Sequence, residues 1–168
     1  MSYVEFFAKI KSPDLCKVAA HWQNARDTRS MPGWQHIQPS KMAAQLAIIW
    51  VYRYDRDTCQ FVGRLAGDRI ERVFGKSFRG TPMAEIYPKD DYERLYSRAK
   101  RVTCEPAFFH GEGMVFSHVG HYGCGERIIM PLSDSGEASD GLLGATVYEA
   151  CSPTLLESML ETESWFAL

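Results

Sequence analysis

The chain has 168 residues, 45% hydrophobic and 24% charged, with a formal net charge of −2. That length suggests one domain with room for a real core, and the balance is ordinary for a soluble globular protein. It calls for no polyanionic partner, so no nucleic acid is expected. No apolar run approaches the ~18–20 residues of a membrane span, so no membrane is expected either. The N-terminal stretch MSYVEFFAKIKSPD mixes acids with bases and lacks the apolar core of a signal peptide. Five cysteines (Cys16, Cys59, Cys104, Cys124, Cys151) are odd in number and hold no Cys-x-x-Cys pair. That fits a reducing cytosol better than a disulfide framework, and a cytoplasmic protein is expected.

Ser12-Pro13-Asp14 opens a helix with a capping serine, a proline at the first helical position and an acid in the first turn. Leu15, Val18, Ala19, Trp22 and Ala25 then recur at helical spacing, and the helix ends before Met31-Pro32-Gly33. An irregular segment follows. Residues 46–54 are β-branched and aromatic and read as a strand, with Asp55-Arg56-Asp57 turning into a second strand over 58–66. Asp68 and Glu71 have capping-box spacing for a short helix ending at Phe74, and Gly75 suits the left-handed position that closes it. Pro88 precedes a longer helix whose buried face is Tyr92, Leu95, Tyr96 and Ala99. Three strands are expected over 113–119, 126–132 and 141–149, with a hairpin turn at Ser133-Asp134-Ser135-Gly136. Ser152-Pro153 starts a C-terminal helix with Leu155, Leu156, Met159 and Leu160 on one side. The order points to an α+β fold with a five-stranded antiparallel sheet. The expected parts are an N-terminal helix and irregular segment (1–40), a core (41–150) and a C-terminal amphipathic tail (151–168).

Gly75-Lys76-Ser77 matches the end of a P-loop, but Ile70 stands where the first glycine belongs, and the motif leaves a helix instead of entering one. His118, His121 and Cys124 are metal-ligand types. On a strand, though, residues three apart point to opposite faces, so a hairpin tip is the better reading and no metal is expected. Nothing singles out His110, His118 or His121 as a haem ligand, and the cofactor stays open. No Gly-x-Ser-x-Gly elbow or paired catalytic carboxylates stand out, so no enzyme is expected. Arg94, Arg98 and Arg101 share one helix face. That face reads first as solvated, with an acidic partner or a phosphate as the alternative. Trp50, Tyr52, Phe61, Phe74, Phe78, Tyr87, Tyr92, Tyr96 and Phe116 either line a cavity or fill it.

A set of ordered motifs carries a resemblance. Phe61-Val62-Gly63-Arg64-Leu65-Ala66-Gly67, the short helix ending in Phe74-Gly75, Phe78-Arg79-Gly80 and Met83-Ala84-Glu85-Ile86 are similar to the core of the PAS_5 family of bacterial PAS-like domains. Ala20-His21-Trp22-Gln23, Met31-Pro32 and Ile37-Gln38-Pro39 resemble its opening, and Ile128 to Ser133 and Leu143-Gly144-Ala145 resemble its later strands. The chain departs from the pattern at Gln38, where the family has Asp, and at Asp68, where it has Thr. The resemblance implies a PAS fold, with helices over one face of the sheet, flanking terminal helices and a small cavity. It implies a sensory or regulatory module acting through protein–protein contacts: a homodimer, with a signalling partner such as a kinase. The alternative is a sensor that binds a small apolar or acidic molecule, or haem. By analogy with PAS ligands, Phe74, Phe78, Leu95, Ala99 and Arg127 are pocket candidates. Leu15, Val18 and Trp22 at one end, and Leu155, Leu156 and Met159 at the other, are interface candidates. The N-terminal stripe must bury against the sheet of its own subunit or of a neighbour.

Overall fold

The computed structural model describes residues 2–118, 121–152 and 160–168. Six strands form one antiparallel sheet in the order β2-β1-β5-β4-β3-β6. They are β1 (Ile49–Asp55), β2 (Gln60–Ala66), β3 (Ala107–His118), β4 (His121–Leu132), β5 (Gly141–Ala150) and β6 (Thr162–Ala167). One face is covered by α1 (Ser2–Lys9) and α2 (Pro13–Arg26), the other by α3 (Asp68–Phe74), α4 (Met83–Ile86) and α5 (Lys89–Cys104).

Local chemistry accounts for the helix ends. Ser12 Oγ accepts the Leu15 N–H at 3.4 Å and starts α2 as its sequence requires. Gly75 closes α3 at φ 64°, a left-handed conformation that a residue with a Cβ resists. Asp68 opens α3, but Glu71 does not complete a capping box. Its carboxylate accepts the Phe78 N–H at 2.9 Å and ties the following loop to the helix.

Several expectations are corrected. The sheet has a sixth strand, β6, where only a helical tail was expected: Glu163 and Trp165 alternate with Ser164 and Phe166 at the strand period of two. Helices cover both faces, because an unforeseen α1 joins α2 on the second one. Residues 46–48 belong to a 3-10 helix (Pro39–Ile48), and β3 begins at Ala107 rather than 113. The expected C-terminal helix, with Leu155, Leu156 and Met159, falls outside the described residues. The cysteines are not all free: Cys124 and Cys151 form a disulfide with their Cα atoms 5.8 Å apart. The inference of a reducing compartment from unpaired cysteines therefore loses its footing. No helix among the described residues is long and apolar enough to cross a membrane.

The stripe of α2 meets its own sheet. Leu15, Val18 and Trp22 have no exposure and pack with Phe108, Ile128, Met130 and Leu143. The Trp22 indole N–H donates to the Pro131 carbonyl at 2.8 Å, so the large ring is buried with its one polar atom satisfied. Of the two burial sites left open for this stripe, the chain's own sheet holds it, and these three side chains are internal.

Candidate functional site

The side of the sheet under α5 carries buried charge. Arg98, read from its helix face as solvated, is 3% exposed. Its Nη1 donates to Glu161, just before β6, at 2.9 Å and its Nη2 to Glu163, the second residue of β6, at 2.5 Å. The guanidinium also lies over the Phe109 ring, 4.4 Å from its centroid. Arg94 reaches the same Glu161 carboxylate at 3.7 Å, and Arg101 sits 4.1 Å above the Trp165 ring. The three arginines of one helix face thus meet Glu161, Glu163 and Trp165, which share one face of an extended segment. The acidic partner offered as the alternative for this stripe lies in the chain itself. Sequence spacing could not show it, because the ion-paired residues are 63 and 65 positions apart.

Arg127 lies behind this cluster on β4. Its guanidinium donates to the Val115 carbonyl and to Thr146 Oγ1 at 3.4 Å, and stands 3.7 Å from Glu161. Burial pushes its pKa down from the ordinary value, and the charges of Arg98 and Arg94 add to this, while Glu161 and Tyr87 oppose it. For Glu163, burial pushes the pKa up, but the Arg98 hydrogen bond and charge, with the Trp165 hydrogen bond and the Arg94 charge, together outweigh it and leave the carboxyl below its usual range. The backbone opposite has a notch: a Cβ on Gly111 would stand 2.3 Å from Glu161 Oε1, so glycine lets the carboxylate approach.

Next to the arginines is a cavity of about 20 Å³ lined by Leu95, Ala99 and Arg127, with Trp50, Phe116 and Ile129. Three of the five pocket candidates meet there. Phe74 and Phe78 sit beside it and contribute bulk: Phe74 packs edge-on to Phe116 at 5.6 Å and to Tyr87 at 5.0 Å, and Phe78 lies 5.6 Å from Tyr52. A larger open cleft of about 380 Å³ lies elsewhere, among Arg72, Phe116, Tyr122, Tyr148 and Cys151.

A second polar cluster, missed in the sequence, anchors the N-terminus. Glu126, 5% exposed, takes the His110 ring nitrogen at 2.7 Å and the backbone N–H groups of Lys11 and Ser12 at 2.8 and 2.7 Å. It clasps the joint between α1 and α2 to the sheet. Lys76 donates to the Glu85 carbonyl at 2.5 Å on the surface, and Gly75-Lys76-Ser77 forms no phosphate cradle there. His118 pairs with His121 across the β3–β4 hairpin, and no group of three metal-ligating side chains occurs among the described residues.

An antiparallel sheet with helices on both faces and a small cavity beneath α5 defines an α+β domain. The PAS domain family model PAS_5 matches residues 10–147, and the chain belongs to that family. No curated protein matches the chain. A PAS domain is in general a sensory and regulatory unit. The matched span excludes both α1 and β6, which touch each other: Phe6 lies 5.9 Å from Phe166.

Proposed function

We propose that this chain is a PAS-type regulatory module that acts through contact with another protein, with no catalytic activity of its own. The size of the cavity is the observation that carries this reading. The cavity under α5, about 20 Å³, has room for roughly one water, whereas ligand pockets run to about 300–1,000 Å³; the cleft of about 380 Å³ reaches that size but is open, and none of the five pocket candidates lines it. The aromatic side chains of the core act as filling. The partner is a signalling protein such as a kinase, and the module is a homodimer in the cytoplasm. Because Leu15, Val18 and Trp22 are internal, the dimer contact belongs to the outer surface of the terminal segments, where Val4 and Leu160 are each 71% exposed.

A ligand sensor is the second reading, favoured by one observation: two buried arginines border the cavity. A native mass spectrum of the gently purified protein separates the two. Chains at their covalent mass support the filled core. One small molecule or haem bound per chain would replace this proposal with the sensor. Sedimentation equilibrium tests the dimer, and a monomer at every concentration removes it.

A further inference from the structure

We propose that the edge of β3, together with the arginine stripe of α5, is a docking site for an extended acidic strand of a partner protein, and that β6 holds this site as an internal occupant. The inference rests on the regulatory reading above and specifies the chemistry of the partner.

β6 is a six-residue strand at the margin of the sheet, bonded only to β3. It lies outside the span that defines the family domain, so the domain that ends with β5 has β3 as its edge. Adding a strand to such an edge is a recurring mode of peptide recognition. Backbone hydrogen bonds supply affinity, and alternate side chains supply specificity. Both parts are present. Residues 107–112 of β3 pair in register with 167–162 of β6. Residues 161, 163 and 165 point to α5, where Arg94, Arg98 and Arg101 take two carboxylates and an aromatic ring. Gly111 leaves room for the first carboxylate. The matching pattern is Glu-x-Glu-x-Trp or a close aromatic variant.

The internal strand does not satisfy the site fully. Glu161 Oε1 and Arg98 Nε are buried without a hydrogen-bond partner. A buried polar group left unmet costs about 1–3 kcal/mol, so a strand that seats its first carboxylate on Arg98 Nε as well would compete with β6 from a favourable position. Release need not unravel the domain. The Cys124–Cys151 disulfide and the bond from the Cys151 N–H to the Tyr122 carbonyl pin the chain where it leaves β5.

The test titrates a fluorescent peptide of residues 160–168, LETESWFAL, into the full chain and into its Glu163→Gln and Trp165→Ala variants, which alter the internal strand and leave β3 and α5 intact. Each variant weakens the hold on the internal strand by a different route, so one folding failure leaves the other usable. The expected result is saturable binding at least tenfold tighter to a folded variant than to the original chain, and a tenfold loss when both peptide glutamates are replaced by glutamine. No saturable binding to folded variants overturns the proposal. So does a concentration-dependent dimer that exchanges β6 without binding peptide, since that assigns the edge to self-association. A small molecule in the native mass spectrum would defeat the regulatory reading whether or not the peptide binds, so the two failures are distinguishable.

Discussion

The two faces of the sheet are built from different chemistry. Under α1 and α2 the contact is almost wholly apolar, from Leu15, Val18 and Trp22 to Phe108, Ile128 and Leu143, with Glu126 as one clasped charge. Under α5, apolar and aromatic packing is interrupted by Arg98, Arg127, Glu161 and Glu163. Apolar contacts are non-directional, and each adds to stability. A buried ion pair contributes little net free energy once desolvation is counted, but costs much when one partner leaves. The first face is therefore a permanent seal. The second specifies one arrangement and is sensitive to its loss, which suits the side that would exchange a strand.

Several substitutions break or sharpen this contrast. Trp22→Ala should cost about 3–5 kcal/mol. In urea denaturation the whole domain should lose stability together, because the seal belongs to every strand. Arg98→Met should cost about 3 kcal/mol by leaving the buried Glu161 carboxylate without its one close partner, with only Arg94 and Arg127 at 3.7 Å. Adding Glu161→Met and Glu163→Gln to it should recover most of that loss, whereas no companion change of charge should rescue Trp22→Ala.

Glu126 gives the apolar face a pH dependence. Burial raises its pKa, but the hydrogen bonds from His110 and the Lys11 and Ser12 amides outweigh this and hold it below the usual carboxylate value. A folded pKa below the unfolded one, which is about 4.3, gives stability that is complete above that value. It is lost as pH falls through the folded pKa. Glu126→Gln should lower stability at pH 7 by about 1–2 kcal/mol and flatten the acid limb of a stability–pH profile. Gly111→Ala should cost about 1 kcal/mol by displacing Glu161, a local effect within the usual range for single substitutions. The Lys11–Glu112 pair, at 2.6 Å but on the surface, should give no resolvable change when Lys11 is replaced by alanine.

Much of the fold is legible because its signals are local. The spacing of α2, the left-handed Gly75 and the apolar β1, β4 and β5 are all visible within short windows. The features that were missed depend on distance or on a competing period. β6 is six residues long, and its Glu163-Ser164-Trp165-Phe166 alternation is too short to stand out behind the helical spacing of Leu155, Leu156, Met159 and Leu160 in the sequence. Charge made Arg98 look solvated, and its partners come from the far end of the chain. The disulfide joins residues 27 apart with no spacing motif to announce it. Leu95, Ala99 and Arg127 were placed beside the cavity by family analogy, and the bulk that fills it could not be read from composition.

The most direct measurement is amide hydrogen exchange by mass spectrometry on the intact chain and on the Glu163→Gln variant. If the charged face holds β6 conditionally, the amides of residues 162–167 should exchange about tenfold faster in the variant, with α2, β4 and β5 unchanged. Equal acceleration throughout, or none in β6, would contradict a separable strand held by the arginine stripe.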